Sequence, residues 1–398
     1  MNREQKAIIA IASLKNVMGI FLGPFLTAYF IKTTEDSLAL ISFYYIITFL
    51  VLALGTLLVA RIVNNRYRIQ MYRVGVIMTF IYMLSIVFLQ EKIVRYLPII
   101  AILNGTALAT YWYPYNLFVT NKIDNKDRTK FTVTANTVSS IVGVITPIVL
   151  GTIITSSNFK LTSIIIAILA GIIILLSFVL KTEKNYNLPK VTYNDTWDYL
   201  LSYKATRKAL ITEFLIGLTA SDGALNILTT ILIFTSFKTD LNLGIITSVA
   251  TILKIIYIKL YQHKLKGKND NKIVIISSVI PALSLLLLLF FKTNITAVIY
   301  NICFTVFAGL ISMVSEIRLV NISNSNLVDE DTQIEFVAFK ELVLNLGRIT
   351  SYDLVLVLTL LNTNNSLYIL LVVLTLLTIV MGYSVSKLNK YEVIKNKE

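Results

Sequence analysis

The chain has 398 residues, 56% of them apolar and only 15% charged, with a mean hydropathy of +0.75. A soluble domain of that composition would expose large hydrophobic patches along its whole length, so an ordinary soluble protein is excluded. A single cysteine, Cys303, and a single histidine, His263, exclude a disulfide framework, a multi-thiolate site and His-cluster metal chemistry, and no cofactor is expected.

The net charge of +14 lies in short loops between apolar runs, which points to a lipid bilayer and away from nucleic acid. A hydrocarbon core about 30 Å thick takes about 20 helical residues to cross. In chain order, runs of that kind lie near 7–31, 37–60, 74–90, 96–120, 131–155 and 162–180, then near 209–235, 241–262, 273–291, 295–320, 336–361 and 366–386. Only helices and closed barrels satisfy their backbone in lipid, and runs this long predict helices.

The first run begins near Ala7, is too long for a signal-peptide core, and is read as a span of the mature chain. It carries Lys15, with Asn16, Gly19, Gly23 and Pro24 near its middle, a set that either breaks the helix at a site or packs flexibly. The fourth run gathers Asn104, Tyr111, Trp112, Tyr113 and Tyr115 around Pro114. Their rings suit a hydrophobic or cationic ligand, while an aromatic belt accounts for Tyr113 and Tyr115 near the inner interface. Between the two groups of six, the stretch 182–208 is polar, and its Trp197, Tyr199 and Tyr203 predict a short interfacial helix. The expected organisation is therefore a six-helix bundle over 1–181, a linker over 182–208 and a second six-helix bundle over 209–398.

Orientation follows from lysine and arginine. With the N-terminus inside, the cytoplasmic segments hold 24 of the 36 and the outer loops six, which places both termini in the cytoplasm. The halves also echo each other: a shift of 204 residues brings Gly105 onto Gly309, Asp127 onto Asp331 and Gly143 onto Gly347. Two groups of six spans with a parallel repeat form a transporter plan.

Two segments carry a family resemblance. The loop after the second span reads Ala-Arg-Ile-Val-Asn-Asn-Arg-Tyr-Arg from Ala60 to Arg68, and the fifth span contains Gly143-Val-Ile-Thr-Pro147-Ile-Val-Leu-Gly151. With twelve spans, a central cytoplasmic loop and internal duplication, the chain resembles the major facilitator superfamily over essentially its whole length. The basic residues of that family's loop stand here as Arg61, Arg66 and Arg68, and its acidic residue is missing. The fifth-span segment resembles the Gly/Pro motif of exporters; ordinary small-residue packing explains it equally well. The arginine common in the fourth span of proton antiporters has no counterpart, which counts against drug–proton antiport. The resemblance implies a monomer in the cell membrane, with the first, fourth, seventh and tenth spans lining a central cavity.

Charge inside the spans falls in the first, seventh, eighth, tenth and eleventh, and the third, sixth, ninth and twelfth have none. Such charge is costly in lipid and belongs in the bundle interior. Asp222, about 13 residues or roughly 20 Å into the seventh span, is the leading candidate for ion coupling, with Asp353 further out. Lys15, Lys254 and Arg348, with Asn16, Asn104, Tyr111 and Trp112, are the substrate-binding candidates, Lys15 and Arg348 for an anionic group. Asp222 paired with Arg348 or Lys254 as a buried structural ion pair is the alternative. Glu213, Glu316, Arg318, Lys340 and Glu341 lie near the cytoplasmic boundary as gate or interfacial residues. Cys303 reads as a small buried hydrophobe and His263 as a solvated loop residue.

No nucleophile–base or metal constellation points to an enzyme. The expected function is secondary active transport of a small organic solute by alternating access, proton-coupled, with export somewhat favoured. Import of an anionic nutrient, lipid flipping and a non-transporting sensor stand as alternatives.

Overall fold

A computed structural model describes residues 3–34, 37–63, 67–122, 125–181, 193–219, 223–265, 269–323, 333–361 and 366–392. Among these residues all regular structure is helical. Eleven helical stretches are long and apolar enough to cross a membrane. By contacts the chain divides into two units, Met1–Lys190 with Thr239–Ser248, and Val191–Lys238 with Val249–Glu398.

The first unit contains α1 (Arg3–Ile20), α2 (Leu26–Thr33), α3 (Leu38–Ile62), α4 (Arg68–Leu89), α5 (Leu97–Lys122), α6 (Asn125–Ser156) and α7 (Phe159–Ser177). α1 runs into α2 through a π turn, Phe21–Phe25, that holds Pro24. Proline removes a ladder donor and collides with the preceding turn, so a local change of winding there is its physical consequence. Ser37 caps α3 by accepting from the Leu40 amide, and Asn158 caps α7 by accepting from Leu161.

α4 and α5 are joined by a 3₁₀ segment, Gln90–Tyr96, and together make a 48-residue apolar stretch from Arg68 to Tyr115. At 1.5 Å per residue that is about 70 Å, more than twice a hydrocarbon core. The stretch folds back on itself at Gln90, whose φ is 43°, and the Gln90 side-chain amide donates to the Ile86 and Val87 carbonyls that α4 leaves open. Gly75 lets the returning helix come close, because a Cβ there would lie 2.5 Å from the Thr110 backbone.

The second unit contains α8 (Tyr193–Ser202), α9 (Lys204–Thr219), α10 (Ala224–Phe237), α12 (Asp270–Phe291), α13 (Asn294–Ser323), α14 (Gln333–Leu360) and α15 (Ser366–Glu392). α11 (Asp240–Leu260) contributes its first turns to the first unit and the remainder to the second. The central polar stretch contains a short helix, α8. It packs Tyr193 and Trp197 on Phe339 and buries Leu200 in a core with Leu210, Leu310 and Met381.

Two glycines related by the 204-residue shift, Gly105 and Gly309, both stand at close helix contacts. A Cβ on Gly105 of α5 would strike the Thr48 carbonyl and Val51 of α3. One on Gly309 of α13 would strike Lys254 of α11, within the window that the 204-residue shift assigns to Thr48 and Val51. Elsewhere the outer faces are apolar: α7 exposes Ile168, Ile172 and Leu175, α12 exposes Leu283, Phe290 and Phe291, and α15 exposes Leu376 and Val380. These helices correspond to the charge-free sixth, ninth and twelfth runs, as surfaces solvated by lipid require.

Candidate functional site

α1 delivers Lys15 into the first unit between α4 and α5. Its Nζ donates to Thr79 Oγ1 at 3.1 Å and stands 4.5 Å from the centre of the Tyr111 ring. Thr79 donates its own proton to the Gly75 carbonyl at 2.8 Å, so toward Lys15 it is an acceptor only. Val76, Ala170 and Ile173 complete an apolar lining. Lys15 is 9% exposed, and no carboxylate reaches it among the described residues. A buried ammonium normally needs a counter-charge or a full set of acceptors, and here one hydroxyl and one aromatic face stand in for them.

Tyr111 joins an aromatic group. Its ring centre is 5.2 Å from Tyr72, 5.6 Å from the stacked Tyr115 and 5.2 Å from the edge-on Trp112. Tyr72 and Tyr111 are buried, and neither hydroxyl makes a hydrogen bond of full geometry among the described residues. Trp112 is exposed. Sequence reasoning finds Lys15, Tyr111 and Trp112 but misses Tyr72 and Thr79. The available signal was spacing on α4, where Tyr72, Val76 and Thr79 share one helical face.

The other first-unit candidates have partners. Asn16 donates to the Ser139 carbonyl and hydroxyl at 3.2 and 3.1 Å, fastening α1 to α6. Asn104 donates to the Tyr44 hydroxyl at 2.9 Å, and that hydroxyl pairs with Tyr82 at 2.6 Å, a buried network between α3, α4 and α5. On α1, a Cβ added at Gly19 or Gly23 would meet nothing within 4 Å.

In the second unit, Arg348 is 9% exposed and donates to Asn345 Oδ1 at 2.8 Å, while Asn345 donates to the Glu341 carbonyl. Glu213 of α9 is buried and pairs with Lys340 of α14 at 3.1 Å. These pairs flank a crossing made by Gly217 and Gly347, where a Cβ would stand 2.0 and 2.1 Å from carbonyl oxygens of the opposite helix. Arg318 of α13 is held by the Val385 carbonyl at 2.6 Å, the Asp270 carboxylate and Asn271 Oδ1 at 3.1 Å. Lys254 lays its stem over Gly309, and Glu316 and Asp353 are exposed. Cys303 is half-buried and His263 exposed. Asp222 lies outside the described residues, as do Arg66 and Asp331.

A sequence profile described as Major Facilitator Superfamily matches residues 7–330. The chain belongs to this superfamily. It is a multi-pass integral membrane protein and a transporter of small solutes, not an enzyme. Curated protein sequences give no match. Among solved structures, the nucleoside transporter NupG superposes with a TM-score of 0.70 at 16% identity, over 98% of this chain and 100% of that one. A bacterial homologue of the iron transporter ferroportin, in an inward-facing state, gives 0.64 at 13% identity over 96% and 97%. A structure described as a bacterial metal transporter gives 0.61 at 12% over 98% and 99%. At these identities the likeness is one of superfamily fold.

The Gly143–Gly151 segment of α6, with Pro147 inside it, makes close contacts inside the first unit. A Cβ on Gly151 would lie 2.6 Å from the Asp240 carbonyl, and one on Gly244 would lie 2.3 Å from the Pro147 carbonyl. Asp240 also pairs with Lys32 at 2.6 Å, and Ser248 donates to the Val144 carbonyl at 2.7 Å. Gly143 sits half-buried on the same helix. Gly151 thus works by close approach to the first turns of α11.

Proposed function

We propose that this transporter moves a small organic solute across the cell membrane by alternating access, as a monomer, with the solute held beside Lys15, Tyr111 and Trp112. The observation that carries this reading is a lysine buried in a membrane helix with an aromatic wall and no carboxylate among the described residues. An intramembrane cation of that kind is a functional-site hypothesis by default. Among the described residues no cluster of three His, Cys, Asp or Glu is present, so the rings and the amine favour an organic solute over the metal ions named for two structural relatives. The nucleoside named for another has a planar ring that the Tyr111 and Trp112 faces would suit.

Twelve crossings follow if the stretch from Arg68 to Tyr115 counts as two, with both termini cytoplasmic and bundles over 1–181 and 209–398 joined by 182–208. Proton coupling is assigned to Asp222, with Asp353 as the second candidate, and Lys254 is kept as a substrate contact. Arg348 is a further contact for an anionic group, and Glu213, Lys340, Glu341, Glu316 and Arg318 act near the cytoplasmic boundary. Export is favoured by the close Gly151 and Pro147 contacts of α6; import of an anionic nutrient is the second reading, favoured by Lys15 itself.

The test is growth of a pump-deficient bacterium expressing the protein, challenged with a panel of toxic organic compounds that includes aromatic acids. Resistance that disappears in a normally expressed Asp222→Asn variant supports proton-driven export. Resistance that persists in that variant removes Asp222 from coupling. No shift for any compound turns the reading to import, measured by uptake.

A further inference from the structure

Three neighbouring groups in the first unit keep hydrogen-bonding capacity that the described residues leave unfilled. Lys15 gives one N–H to Thr79 and lies over the Tyr111 ring, which leaves donor capacity unused. The Tyr72 and Tyr111 hydroxyls are buried, at 4% and 1% exposure, and neither makes a hydrogen bond of full geometry among the described residues, although they lie close enough to interact with each other. Their rings are 5.2 Å apart, so the hydroxyls belong to one cluster. Buried polar groups are nearly always satisfied, and orphaned ones mark a place where something else binds. All three can donate a proton, and Thr79, the hydroxyl that Lys15 reaches, already accepts from it.

From this geometry we infer that the solute is an organic monocarboxylate with an aromatic or apolar body. The carboxylate is received by Lys15 and the Tyr72 and Tyr111 hydroxyls, and the body lies against Trp112 and Tyr115. The inference rests on the transport reading above and narrows it. Lys15, the cation that stands over the Tyr111 ring among the described residues, matches a single negative charge; a phosphate dianion would leave one charge uncompensated by it in a low-dielectric site. Ring faces suit an apolar body, since aromatic contacts hold a planar group without hydrogen bonds. Along α1, Gly19 and Gly23, one and two turns beyond Lys15, border open space.

The test is binding to the full-length protein in detergent, with benzoate as probe and benzamide and inorganic phosphate as controls, read by Trp112 fluorescence. The only other tryptophan, Trp197, is removed by Trp197→Phe. Benzoate is expected to shift the signal and benzamide and phosphate to leave it unchanged. Lys15→Met should abolish the response, and Tyr72→Phe and Tyr111→Phe, which keep the rings, should each weaken binding about 10-fold. Should Lys15→Met fail to fold, the two hydroxyl deletions decide. No benzoate response, equal binding of benzamide, or unchanged affinity in both Phe variants overturns the inference. Flux of labelled benzoate in proteoliposomes separates the two readings. Binding without flux keeps the carboxylate site and removes transport of this solute, whereas Lys15-independent flux of neutral compounds keeps transport and removes the carboxylate site.

Discussion

Arg318 is 2% exposed and spends its fork on three acceptors from two other helices. A guanidinium so placed is fully engaged, and its planar geometry matches acceptors that a point charge does not. Arg318→Leu leaves the Asp270 carboxylate without its cation, a loss on the order of 3–5 kcal/mol for a buried pair. A marked fall in apparent melting temperature is expected in purified protein, with Arg318→Lys recovering only a minor part. Asn104 gives a sharper test of role, because its amide is tied to Tyr44. Asn104→Ala should cost about 1–2 kcal/mol of stability through the orphaned network and leave solute selectivity unchanged; an altered selectivity profile would instead return Asn104 to the solute site. These residues also show how far sequence reasoning reaches. Lys15 was legible because a cation inside an apolar run is rare. The acceptors of Arg318 were not, since Asp270 lies 48 positions away and Val385 67, separations that only the packed helices close. Tyr72 escaped notice for a related reason: near a span's end, tyrosine has an interfacial explanation, and its contact with Tyr111 depends on the register of the α4–α5 hairpin.

At the scale of elements, glycines divide into those that close a helix contact and those that border space. Gly217 and Gly347 belong to the first kind, with carbonyl oxygens of the facing helix at 2.0 and 2.1 Å from a built Cβ. Gly217→Ala must push α9 and α14 apart, which also stretches the Glu213–Lys340 pair beside them. Expected are a lower apparent melting temperature and slower transport. Gly19→Ala meets nothing within 4 Å and should keep the stability of the parent protein, with any effect confined to solute affinity. Equal destabilisation by both changes would contradict this division. The helices themselves were legible from apolar runs, as was the irregularity in the first span, which Gly19, Gly23 and Pro24 announced and the π turn at Phe21–Phe25 realises. What the runs did not reveal was the continuous helical link from α4 to α5. Lys92 and Arg95 interrupt the apolar pattern there, while the backbone continues as a 3₁₀ segment.

For the whole molecule that link decides the topology. Counted as one stretch, Arg68–Tyr115 leaves eleven candidate spans, an odd number that sends the two termini to opposite sides of the membrane. Counted as two, it gives twelve, and the alternation of basic loops is kept throughout. The fold-back at Gln90 and the contact of Gly75 with Thr110 favour the second count, since a single crossing cannot bring positions 35 residues apart together. If the N-terminus is inside, twelve crossings put the turn carrying Lys92 on the outer side and the segment that begins at Asp270 inside. In a Cys303→Ser background, Lys92→Cys should therefore react with a membrane-impermeant maleimide in intact cells. Asn269→Cys should react only after the membrane is opened, and a fluorescent protein fused to the C-terminus should mature in the cytoplasm. An unreactive Lys92→Cys together with an external C-terminus would establish the eleven-span count. The parallel relation between the halves would then be lost, because an odd number of crossings inverts the second half relative to the first.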